Sequence, residues 1–178
     1  MRFRKTIGLP LAAAAGLLLT LGFASSAIAG PTTATVTVTG GALSITVPTD
    51  AGNLGSRANT VQAGTISGPL GQVQVNDARS AAAGSGWVAS VISTAFTPPS
   101  GPTIGAAAVG YIAGPITKVG TATFTANDPP DLTGVVPAVT ATGITGDNSA
   151  TWNPTITVTI AGGKAAGVYS GTITHSVV

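Results

Sequence analysis

From Thr33 onward the chain alternates in steps of two. Thr33–Thr39 reads Thr-Ala-Thr-Val-Thr-Val-Thr, and Leu43–Val47, Leu70–Val75 and Trp87–Phe96 repeat the rhythm. Thr121–Thr125, Thr155–Ile160 and Tyr169–Val177 carry it to the end of the chain. A period of two places alternate side chains on opposite faces of a strand. The residues are mostly Thr, Val and Ile, whose branched side chains suit a pleated, half-buried surface. Turn formers separate the runs: Gly40-Gly41, Gly52-Asn53, Pro98–Pro102, Asp128–Asp131, Gly146–Ser149 and Gly162-Gly163. Ala81–Ala83 is too short for a helix and is followed by Gly84 and Gly86. Ser80–Gly86 reads as a flexible loop before Trp87, and 98–117 as a long inter-strand excursion around Tyr111. The pattern predicts an all-β fold, a single β-sandwich of immunoglobulin-like or Greek-key type. Core aromatics are few: Trp87, Phe96, Phe124, Trp152 and Tyr169.

The first thirty residues break the rhythm. Arg2, Arg4 and Lys5 precede an apolar run from Leu9 to Phe23, and Ala27-Ile28-Ala29 follows with small residues at alternate positions. This is the layout of a secretory signal peptide cleaved after Ala29. The apolar run, about fifteen residues, is shorter than the roughly 20 a membrane-spanning helix needs, so no transmembrane anchor is expected. Residues 1–29 are therefore read as signal and 30–178 as one domain.

Charge changes the picture once that segment is set aside. The whole chain carries a formal +2. Residues 30–178 retain Arg57, Arg79, Lys118 and Lys164 against Asp50, Asp77, Asp128, Asp131 and Asp147, a net charge of −1. No basic field remains to hold nucleic acid. There is no Cys, no Glu and one His, so disulfides, thiol nucleophiles and Cys-based zinc sites are excluded. Glycoside hydrolysis asks for two suitably spaced carboxylates, and four of the five Asp sit beside Gly, Pro or Asn in turn-like sequence. No Gly-x-Ser-x-Gly elbow is present to partner His175. The reading is non-enzymatic, with no cofactor and no metal. Asp128, Asp131 and Asp147 offer oxygens that would suit surface Ca²⁺, yet Asp is also ordinary in turns.

Three stretches carry a resemblance. Val73–Arg79 (Val-Gln-Val-Asn-Asp-Ala-Arg) leads through a Gly/Ala-rich segment into Gly86–Val91 (Gly-Trp-Val-Ala-Ser-Val). Thr151–Ile160 follows, and Gly163–Val178 closes with Gly167-Val-Tyr169-Ser-Gly171 ahead of His175. Together they resemble the WxL domain, a β-rich surface module of Gram-positive bacteria, over roughly residues 35–178. At the two Trp-x-Leu signatures this chain departs from the family. Ala89 stands where Leu is expected after Trp87, and His175 and Val177 stand in the second motif. The resemblance implies non-covalent attachment to the cell wall through peptidoglycan or another envelope glycan.

Candidate contacts follow from residue type. Trp87 could stack on a sugar face or fill the core, since large aromatics dominate small cores. Asp77 and Arg79, two apart, share one face of a strand. They could clamp a ligand carboxylate or close the segment before Trp87 with hydrogen bonds. Tyr169 and His175 lie in the C-terminal motif, His175 either facing solvent or filling a Trp slot. The expected partners are an envelope glycan, with other surface proteins or self-association besides. The expected location is outside the cell, at the wall or surface. The alternative function is a pilin-like, coat or matrix subunit that assembles through strand edges.

Overall fold

The computed structural model describes residues 33–178. The signal-peptide reading of residues 1–29 lies outside the described residues. Eight strands follow in order. They are β1 (Leu43–Thr46), β2 (Gly64–Pro69), β3 (Val73–Ser93), β4 (Val109–Ile112), β5 (Thr117–Ala126), β6 (Val136–Trp152), β7 (Thr155–Ile160) and β8 (Ile173–Val177). A short 3-10 turn, Ala106–Ala108, leads into β4.

The strands form two antiparallel sheets, an all-β arrangement consistent with a β-sandwich. The larger has five strands in the order β1-β3-β6-β5, with β8 also on β3. β1 takes Gln74–Asp77 and β8 takes Ala89–Ser93, so both lie along the edge of β3 that faces away from β6. The smaller sheet runs β2-β7-β4. Only Asn153 and Pro154 separate β6 from β7, so the chain steps from one sheet to the other within two residues. Pro154 has no N–H to lose, and its carbonyl accepts from the Leu70 N–H at 2.8 Å. The Asn153 side chain accepts from the Gly71 N–H at 3.1 Å, bracing this corner against the β2–β3 turn.

Inward residues follow the alternation. Val73, Val75, Trp87, Ala89 and Val91 are buried on β3, Trp152 and Ala150 on β6, and Ile156 and Val158 on β7. Leu132, wholly buried, enters from the loop before β6. Burying a Val, Ile or Leu side chain stabilises by roughly 1.5–3 kcal/mol, so this aliphatic cluster supplies the main drive to fold.

Several sequence expectations are corrected. Thr33–Thr39 has the strand pattern but lies in no strand, with Val36 90% and Val38 87% exposed. Ser80–Gly86 is no loop: it is the middle of a 21-residue β3. Gly146–Ser149 is no turn: it lies inside the 17-residue β6. The long run Leu70–Val75 divides at Gly71, whose φ of 101° is open to glycine, and the first half belongs to the turn. The 98–117 excursion contains β4, and Tyr111 on it is 1% exposed. Tyr169 precedes β8, which starts four residues later.

Ser80–Gly86 and Gly146–Ser149 share one cause, irregular pairing between β3 and β6. Their register shifts between Asp77 and Ala81, Ala81 and Ser85, and Ser85 and Trp87. Bulges absorb extra residues and need unusual dihedrals, which Gly84 (φ 89°), Gly143 (φ 63°) and Gly146 (φ 72°) provide. Turn-type residues therefore sit inside long strands and hide them from a pattern of short alternating runs.

Candidate functional site

Asp77 stands at the centre of the first polar cluster. It sits on β3 with 1% of its surface exposed. Arg79, on the same face of the strand, approaches it as a fork: Nε to Oδ1 at 2.8 Å and Nη2 to Oδ2 at 2.9 Å. The Arg79 backbone N–H adds a third donor at 3.2 Å. From β6, the Asn148 amide nitrogen donates to Asp77 Oδ2 at 3.2 Å, and Asn148 Oδ1 accepts from the Trp87 indole at 2.9 Å. Arg79 also donates to the Gly86 carbonyl at 3.2 Å. A buried charge is tolerated only when paired and hydrogen-bonded, and this carboxylate is both. The Arg79 guanidinium and the donors around it hold the Asp77 carboxyl below the usual range, against the opposing effect of burial.

Trp87 is therefore anchored, not presented. It is 2% exposed, its N–H is engaged by Asn148, and its ring meets Phe124 at 5.7 Å between centroids. Of its two readings, the structure places it in the core. Asp77 and Arg79 likewise close the segment ahead of Trp87. Gly86 is required there: a Cβ on it would come within 2.7 Å of the Ala141 carbonyl.

The second cluster joins the sheets. Tyr111 on β4 receives the Trp152 indole N–H from β6 at 2.7 Å. The same hydroxyl lies 3.2 Å from His175 Nε2 on β8, and the two rings meet edge to face at 5.6 Å. With Trp152 as donor, the Tyr111 hydroxyl keeps its proton and a second lone pair for His175, so either neutral tautomer of the imidazole satisfies the contact. Burial holds the His175 pKa down to about 4 and pushes the Tyr111 hydroxyl well above its ordinary value. His175 is half-buried, and its contact with Tyr111 ties β8 of the larger sheet to β4 of the smaller as a latch between sheets.

The aspartates are all engaged by the fold. Asp50 accepts from the Gly52 N–H at 2.8 Å and Asp131 from Thr133 at 3.2 Å, both fixing turns. Asp128 accepts from the Ala113 N–H at 2.8 Å. Asp147 accepts from the Ser80 N–H at 2.9 Å and steadies a non-glycine residue with φ of 54°. Among the described residues no group of three or more His, Asp or Glu could hold a metal ion. Among them, too, no helix is long and apolar enough to cross a membrane.

An open recess lies elsewhere among the described residues. A groove of about 790 Å³ runs between the loop 48–60 and the segment 164–173. Leu70, Phe96, Ile104 and Val158 form an apolar floor, and Asp50, Arg57 and Lys164 lie at its rim. Tyr169 lines it, half-buried, with its hydroxyl donating to the Ala165 carbonyl at 2.9 Å. Lys164 is drawn across by the Thr103 carbonyl at 2.7 Å. Of the five residues singled out from the sequence, Asp77, Arg79 and Trp87 come together in one cluster, His175 joins another, and Tyr169 alone lines the groove. Loop 48–60 was missed, because it carries turn residues without an alternating or catalytic pattern.

No family model, curated protein or solved structure matches this chain.

Proposed function

We propose that this is an exported, non-enzymatic surface protein that holds to the cell wall non-covalently, with a WxL-like domain as its binding module. The reading takes residues 1–29 as a cleaved secretory signal and the sandwich as immunoglobulin-like or Greek-key in type. The observation that carries it is the groove beside Tyr169. It pairs an apolar floor and an aromatic ring with hydroxyl and amide groups from Asn53, Asn59, Thr60 and Ser170. Sugars present C–H faces and hydroxyls together, and recesses of this composition suit them. All five aspartates accept from backbone N–H groups or from the Arg79 side chain, which supports a binding role over acid–base chemistry.

Co-sedimentation of the folded protein with isolated peptidoglycan tests the proposal. The chain is expected to pellet at both low and high salt, because contact with the apolar floor and the Tyr169 ring is not screened by salt. Tyr169→Ala is expected to release most of it into the supernatant while its melting temperature stays close to that of the parent. A folded protein that stays in the supernatant at every salt concentration overturns the reading.

A further inference from the structure

We propose that copies of this protein join head to tail by strand addition, with Thr33–Thr39 of one copy pairing along the outer edge of β5 in a second copy. The first observation is the donor. Thr33–Thr39 has the strongest strand pattern in the chain, carries no charge, and lies in no strand. Val36 and Val38 are almost fully exposed on one side of it. Such a segment gains hydrogen bonds and buries apolar surface when it adds to a sheet.

The second observation is the acceptor. β5, at ten residues, is the longest edge strand, and among the described residues only β6 pairs with it. The other edges are shorter or covered. β1 has four residues, and β8 has five. The Leu54 backbone lies against Gly68 of β2, and the Pro129 carbonyl takes the Tyr111 N–H of β4. β5 carries Lys118 and a bulge at Gly120 (φ 86°), which blunt its first half, but from Thr123 to Ala126 its pairing with β6 is regular.

The faces also match. On β5, Thr121, Thr123 and Thr125 point outward, while Phe124 is buried and Ala122 partly so. On the donor, Thr33, Thr35, Thr37 and Thr39 share one face, and Ala34, Val36 and Val38 the other. Pairing would extend the Thr ladder on one face and the apolar stripe on the other. The occupant has to come from another molecule. The chain is tied to the opposite edge of the sheet at Gly41, whose N–H donates to Ala78 of β3. Three strand spacings of about 4.8 Å, roughly 14 Å, separate that edge from β5. Because the two surfaces differ, the contact is heterologous and copies add head to tail.

Sedimentation velocity across a wide concentration range tests this on the chain as recovered from expressing cells. Val36→Pro/Val38→Pro removes the donor in a segment the fold does not pair. Thr123→Lys/Thr125→Lys charges the acceptor edge at two exposed positions. The parent is expected to grow in size with concentration, each variant to stay monomeric, and an equal mixture of the two to stop at a dimer. A labelled peptide of residues 33–39 is expected to bind the donor-deficient variant, whose β5 edge is intact, even where the lysine variant folds poorly. A parent that stays monomeric throughout, oligomers undiminished in the proline variant, or a peptide that fails to bind that variant overturns the proposal.

Discussion

Acidification should loosen the latch between the sheets, and the size of the effect follows from His175. The imidazole is held to a pKa of about 4 by burial, against 6.5 in the unfolded chain. The folded state therefore binds its proton later than the unfolded state as pH falls. Stability from this group is complete above pH 6.5 and is lost as pH falls towards 4, where both states become protonated. At 1.36 kcal/mol per pKa unit the full loss is on the order of 3 kcal/mol, and roughly 2 kcal/mol of it should be gone by pH 5. The structural reason is burial against Tyr111, which removes the imidazole from water and disfavours its charged form. Asp77 does not confuse the window. Its carboxyl is held below 3.8, so its contribution is present above that pH and lost only below it. Urea unfolding at closely spaced pH values between 7.5 and 4 measures the slope directly. His175→Gln keeps an acceptor for the Tyr111 hydroxyl and removes the titration. Its stability should be flat across the same range, at a level near or somewhat below that of the parent at neutral pH. A parent that is equally stable at pH 7 and pH 4.5, or a glutamine variant with the parent's slope, would refute the neutral latch.

The remaining predictions concern the core and the Asp77 cluster. Arg79→Met should cost about 2–3 kcal/mol in chemical denaturation, below the value for a fully enclosed pair because the arginine side chain is 38% exposed. Arg79→Lys should recover only part of that loss, since an ammonium cannot reproduce the two-pronged contact. Gly86→Ala should destabilise by about 1–3 kcal/mol, as its Cβ would press on the Ala141 carbonyl; an unchanged urea midpoint would contradict the close approach. Leu132→Ala should cost about 2–5 kcal/mol by leaving a cavity in the core, read as a fall in the thermal midpoint.

Strand-forming character was legible in the residue order because local alternation needs no long-range information. Thr155–Ile160 is β7 with the same bounds, and Leu43–Val47 differs from β1 by one residue. The Asp77–Arg79 contact was also within reach, since two residues on one strand face meet whatever the rest of the chain does. Asn148 was not, although it completes that cluster. It lies 71 residues from Asp77 and sits in a Gly-Asp-Asn-Ser stretch that reads as a turn. Only pairing of β3 with β6 shows that stretch to be strand.

By itself, then, the order of residues determined an all-β chain, poor in charge and without thiols. Tertiary structure decided what the individual side chains do. It turned Trp87 inward, made His175 a neutral partner of Tyr111, and left Tyr169 beside an open groove. It also left the best-patterned strand segment, Thr33–Thr39, without a partner. The reason is physical: alternation specifies which residues can share a face, whereas burial, register and the partner across the sheet depend on segments tens of residues away.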